Sequence, residues 1–166
     1  AGPSFIFGML SSLFTKAYIP WIIWAIHILT GFVPYLIFRE KKIQKNLSSA
    51  KNASSISDIL LRAVRSICLI CAWVFLFRIL LRVLETRFLS QFPPICRIVL
   101  SGILEMTNGC CKLSAVSEPI RFILCSGFLG FGGICVLLQT SSIVKELGIK
   151  FYLGGKLIHG ILSTTV

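Results

Sequence analysis

A carboxylate, a hydroxyl and an amide fall within four residues of one another, at Glu105, Thr107 and Asn108, inside an otherwise apolar stretch. Gly109 follows them. A second apolar stretch is interrupted by Gly130-Phe131-Gly132-Gly133 and carries Gln139 beyond the interruption. Polar groups at such positions are costly in lipid, so they face a bundle interior or a water-filled cavity and mark functional sites. Paired interrupted apolar segments are also the sequence pattern of a transporter's binding site. The chemistry on offer is therefore recognition of a small solute. Glu105, Thr107, Asn108, Gly109 and Gln139 are the candidate contacts, and Gly130, Gly132 and Gly133 free the backbone at the second break.

Cations stand close to these residues. Arg78 and Arg82 are four apart, on one helical face. Two readings stay open for them: snorkelling to the far interface, or an inward positive stripe for an anion. Lys112 would add a third charge. Half-helix starts near Asn108-Gly109 and Gly133 would offer N–H groups and positive dipole ends to the same anion. Glu105 would oppose an anion unless protonated or paired, which makes proton coupling through it a reading to test. His27, the titratable group of the first long apolar run, is read as an interior imidazole bonded to a neighbouring carbonyl, with a proton relay as the alternative. Cys68-x-x-Cys71 has no second pair and no nearby His, so packing is expected rather than metal binding. With seven cysteines in all, an odd number, no disulfide framework is expected.

The elements that must position these groups follow from composition. Hydrophobic residues make up 55% of the 166 and charged residues only 14%, where a soluble domain carries about a quarter; mean hydropathy is +0.87. The expected class is all-α and integral to a lipid bilayer, with about four transmembrane helices, one re-entrant hairpin and one Gly-broken helix. The net charge of +11 is read as Lys and Arg flanking spans and as attraction for anionic lipid or solute. Basic residues punctuate apolar helices and form no soluble patch, so nucleic acid is not an expected partner.

In chain order, residues 1–16 hold an apolar run too short to span, the end of a broken element. Residues 17–38 span, with Trp21, Trp24 and Tyr35 as interfacial aromatics and Pro34 kinking the last turn. Residues 39–58 form a basic loop, placed on the cytoplasmic side by the positive-inside rule; Asn46-Leu-Ser48 and Asn52-Ala-Ser54 match a glycosylation pattern that has no meaning there. Ser57-Asp58 is a candidate helix cap. Residues 59–84 form a second span. Phe92-Pro93-Pro94 is a turn, and 95–117 reads as a re-entrant hairpin, allowed at membrane depth only where it lines a cavity or is buried in protein. Residues 119–147 make the broken helix and 151–166 the last one, with His159. Lys145, Lys150 and Lys156 flank the return. No signal peptide is expected, and the start reads as the middle of an element in a longer or split polypeptide.

At Gly2-Pro3-Ser4-Phe5-Ile6-Phe7-Gly8, Ser101–Cys110, Gly130–Gly133 with Gln139, and Leu157–Leu162 the chain resembles the sporulation integral membrane proteins of the YlbJ (SpoVV) type, which carry nucleoside-recognition "Gate" domains. The likeness covers nearly the whole chain, and Glu-x-Thr-Asn-Gly is its most specific block. Cys110-Cys111 departs from the single Cys or small residue of that pattern. The resemblance implies a helical transporter of two similar halves, of which this is the C-terminal one, related in architecture to concentrative nucleoside transporters. It implies movement of dipicolinic acid across the outer forespore membrane during bacterial sporulation. Glu105, Thr107, Asn108 and Gln139 are the site residues it carries over. The expected partners are the lipid bilayer, an N-terminal half or second copy of the fold, and a small anionic solute.

Two other readings compete. One is a non-transporting membrane subunit or scaffold, which has no need of Glu105 and Asn108 at membrane depth; the other is a half-transporter for a nucleoside-like solute. An enzyme is not expected, since no Ser/His/Asp order, metal-ligand spacing or phosphate loop is present, and no cofactor is called for.

Overall fold

The computed structural model describes residues 2–38, 55–143 and 149–165, which are helical and contain no strand. The basic loop from Arg39, both glycosylation patterns and Lys145 lie outside the described residues. Seven helices follow in order: α1 (Ile19–Phe38), α2 (Ile56–Arg87), α3 (Pro94–Leu104), α4 (Met106–Cys111), α5 (Glu118–Phe131), α6 (Gly133–Ile143) and α7 (Ile149–Thr165). Among the described residues three stretches are long and apolar enough to cross a membrane: α1, α2 and the combined Glu118–Ile143. The last helix, α7, has 17 described residues, fewer than the roughly 20 a bilayer core takes, so among the described residues three of the about four expected spans reach full length.

Local chemistry sets the boundaries. The Asp58 carboxylate accepts the Ser55 backbone N–H at 3.2 Å, so α2 starts one residue after Ser55 and the cap is Ser55 with Asp58, not Ser57. Carboxylate and cap sit three apart, the spacing of a capping box. In α1 the chain continues through Pro34 to Phe38. Trp21 and Tyr35 are exposed at its two ends, as interfacial anchors require, whereas Trp24 is half-buried and packs edge-on against Phe7 and Trp21.

The N-terminal residues form a π turn (Phe5–Met9) and a 3-10 turn (Leu10–Leu13). Ile6 and Leu10 are wholly buried and join Ile23, Leu113 and Leu129 in the core. Arg121 fastens this piece: its guanidinium donates to the carbonyls of Leu13, Leu113 and Val116, tying the N-terminal turns to the link between α4 and α5. Chain ends of short helices leave carbonyls without partners, and one arginine serves four carbonyls here, that of Ser114 among them.

Helices approach through small residues. A Cβ on Gly130 would lie 2.7 Å from Ser163 Oγ and 2.8 Å from the His159 carbonyl oxygen, so α5 and α7 meet almost backbone to backbone, the small-residue packing common between membrane helices. Gly130 thus lies inside α5 and is a packing notch, not a hinge. Thr30 of α1 shares a hydrogen bond with Ser163 at 2.9 Å. Legs α3 and α4 fold back on each other as the expected hairpin: a Cβ on Gly109 would come within 2.3 Å of Gly102 Cα, and one on Gly102 within 2.3 Å of the Phe128 ring. Gly102→Ala is therefore expected to destabilise by about 1–3 kcal/mol through overpacking. Adding Phe128→Ala makes room for the new methyl. A double-mutant cycle on unfolding midpoints should show the pair costing less than the sum of its parts; strict additivity would mean the ring and the hairpin do not press on each other.

By contrast α2 stands largely alone. Only Phe77 and Leu81 are buried along its 32 residues, and Ile59, Leu60, Leu61, Ile67, Phe75 and Leu76 are exposed. Cys68 and Cys71 are free thiols exposed on it.

Candidate functional site

The two interruptions read from the sequence touch. A Cβ on Gly133 would stand 3.0 Å from the Met106 backbone nitrogen and 3.4 Å from both Glu105 Cα and the Gly102 carbonyl oxygen. The apex of the α3–α4 hairpin therefore rests directly on the break between α5 and α6. Gly132 and Gly133 make that break with φ of 84° and 82°, a left-handed backbone that costs other L-residues steric energy.

The first break is narrower than its sequence. Only Glu105 leaves the helical path, at φ −144° and ψ 112°; Thr107, Asn108 and Gly109 lie in α4 rather than in an unwound segment. The reason is the Glu105 side chain itself. One carboxylate oxygen accepts the Thr107 N–H at 2.9 Å and the other the Asn108 N–H at 2.7 Å. The chain thus restarts a helix at once, with its own carboxylate at the positive end. The amides expected to meet a solute anion near Asn108-Gly109 are already taken.

Asn108 is buried, and its Oδ1 accepts a hydrogen bond from Arg78 of α2 at 3.0 Å. Arg78 is exposed, with its guanidinium reaching over to the buried Asn108 amide. Arg82 is exposed and makes no side-chain bond to a described residue. Lys112 bonds Ser101 Oγ at 2.8 Å and pairs with Glu85 of α2, the ion pair among the described residues. Gly109 is buried as a packing surface against Gly102. Gln139, half-buried on α6, donates to Cys135 Sγ at 3.1 Å; nothing joins it directly to Glu105 or Asn108. The Thr107 side chain is half-buried and has no partner among the described residues.

Two features escaped the sequence reading. Lys156 of α7, read as a flanking charge, brings its Nζ to 3.6 Å from where a Gly132 Cβ would be, beside the C-terminal end of α5, where the helix dipole favours a cation. Its signal was a lone lysine three residues before a histidine in an apolar run. The second is the histidine pair. His159 Nε2 lies 3.0 Å from the His27 carbonyl oxygen, and the two imidazoles stack with centroids 4.9 Å apart. Among the described residues no group of three His, Cys, Asp or Glu is placed to hold a metal ion.

No family model, curated protein or solved structure matches the chain.

Arg78 and Asn108 give a direct prediction. Arg78→Met leaves Asn108 Oδ1 buried without its donor, expected to cost about 1–3 kcal/mol. Asn108→Leu in the Arg78→Met background should recover part of that loss, since an unpaired buried amide costs more than an apolar isostere. Thermal unfolding of the four proteins in detergent measures it; no recovery would mean the bond carries no weight in the fold.

Proposed function

We propose that the chain is an integral membrane protein that carries a small anionic solute past the crossing of its two broken segments. The observation that carries this reading is the contact of the Glu105 apex with Gly133, which gathers buried polar groups between apolar helices. Polar groups buried between apolar helices mark solute or ion paths. Arg78 is the anion contact. A guanidinium has five N–H donors, one of which is spent on Asn108, leaving a planar fork for a carboxylate. Thr107 and, one helix away, Gln139 supply polar contacts. Lys112 is spent on Glu85 and Ser101 and belongs to the frame.

The solute this reading favours is dipicolinic acid, crossing the outer forespore membrane in a sporulating bacterium, with an N-terminal half or second copy completing the transporter. Its support is the Glu-x-Thr-Asn-Gly resemblance, together with the exposed apolar length of α2, which a lipid bilayer or a second half would cover. The same exposed helix suits the alternative reading, a non-transporting membrane subunit.

Uptake of labelled dipicolinate into vesicles separates them. Saturable uptake by the chain, alone or with an upstream half supplied, and its fall by about tenfold or more in Arg78→Gln, the loss of a charge-assisted contact, is the expected result. Uptake equal to that of empty vesicles under both conditions would sink transport in favour of the subunit reading.

A further inference from the structure

Beyond the crossing, a cleft of about 340 Å³ opens where the mouth of the α3–α4 hairpin faces the C-terminal part of α2. That is the size range of small-molecule sites. Glu85, Arg97, Lys112 and Ser114 line it, with Pro94 at its edge. Two cations and one carboxylate leave the cleft one positive charge, and the Lys112–Glu85 pair already satisfies two of the three. Arg97 is the remaining one: it is half-buried, and its side chain has no hydrogen bond or ion pair with a described residue. The cleft also lies on a line with the crossing. Lys112 is one turn along α4 from Asn108, and Glu85 two turns along α2 from Arg78, steps of roughly 6 and 10 Å.

We infer that this cleft is a waiting site for the carboxylate of a small free solute, held by Arg97, at the mouth of the path that ends at Arg78. The inference rests on the transport reading for its purpose but not for its chemistry. One monocarboxylate neutralises the cleft; a neutral isostere gains nothing from it.

The full chain in nanodiscs of zwitterionic phosphatidylcholine, titrated calorimetrically with benzoate and with neutral benzamide, tests it. Expected are saturable benzoate binding, no benzamide binding, and weakening of about tenfold in Arg97→Gln, the loss of a bidentate charged contact. Arg87→Gln, an exposed charge at the same end of α2, should bind as the parent does. Equal binding of benzamide, or an Arg97→Gln protein that binds benzoate unchanged, would overturn the proposal. So would loss of benzoate binding when phosphatidylglycerol replaces phosphatidylcholine, since an anionic lipid headgroup would then be the occupant. Benzoate binding that needs Arg97, in a chain that takes up no dipicolinate, would keep the cleft and remove the transport reading; uptake with no Arg97-dependent binding would do the reverse.

Discussion

Gly133→Ala is expected to damage this protein far more than Gly132→Ala, although the two glycines are neighbours with nearly the same φ, 82° and 84°. At Gly132 a methyl group meets nothing closer than 3.6 Å, so the cost is the left-handed backbone alone, about 1 kcal/mol. At Gly133 the same methyl is pressed against the Met106 nitrogen at 3.0 Å, with Glu105 Cα and the Gly102 carbonyl oxygen close behind. These neighbours are backbone and cannot swing aside. Overpacking of that kind adds ~1–3 kcal/mol, and relieving it means parting the hairpin apex from the α5–α6 break. Thermal unfolding in detergent should therefore rank parent, Gly132→Ala, Gly133→Ala in clearly separated steps, with solute uptake surviving in the first variant and failing in the second. Equal effects of the two substitutions would deny the contact on which the site depends.

Glu105 carries the second large effect. Its two oxygens hold the Thr107 and Asn108 amides in a site where little water reaches, since Glu105 is 7% exposed. Glu105→Ala strands both amides, at about 1–3 kcal/mol each, and α4 should lose its first turn. Glu105→Gln keeps one carbonyl oxygen and strands one amide. Aspartate, a good N-cap residue, is the informative replacement. As a cap, Glu105→Asp should retain more stability and more uptake than Glu105→Gln, and none of the three should shift the pH profile of the uptake that remains. As a proton carrier, Glu105 would instead give a Gln variant that folds normally but has lost its pH dependence. Melting points and pH profiles measured on the same preparations distinguish these outcomes.

The sequence located the breaks because their residues are conspicuous. Glu105, Thr107 and Asn108 stand out in an apolar run, and Gly132-Gly133 sits in the middle of another. What one chain cannot display is which break meets which. The close approach of Gly133 to Met106, which leaves a Gly133 Cβ only 3.0 Å from the Met106 nitrogen, joins residues far apart in sequence, and no periodicity encodes it. The reach of the first break was overestimated for a local reason: a glutamate that caps its own following helix returns Thr107, Asn108 and Gly109 to helical geometry, and Glu is not among the usual cap residues. Gly130 was read as part of a hinge because glycine in sequence does not distinguish a turn from a notch; the nearness of Ser163 and the His159 carbonyl decides for a notch. The long helices were plain from apolar length. The arginine pair could not be resolved, because Arg78 and Arg82 share a face and differ only in that Asn108 lies opposite one of them.

The most direct test is the water accessibility of Thr107, half-buried at the crossing and without a side-chain partner among the described residues. Thr107→Cys is placed in a protein whose Cys68, Cys71, Cys96 and Cys111 are serine. The remaining thiols, Cys110, Cys125 and Cys135, are 0%, 0% and 1% exposed and serve as the silent background. In sealed membrane vesicles a membrane-impermeant maleimide should label Cys at 107, and dipicolinate should slow that labelling. Labelling only by a lipid-soluble maleimide, with the impermeant reagent inert from both sides, would contradict a solute path at the crossing.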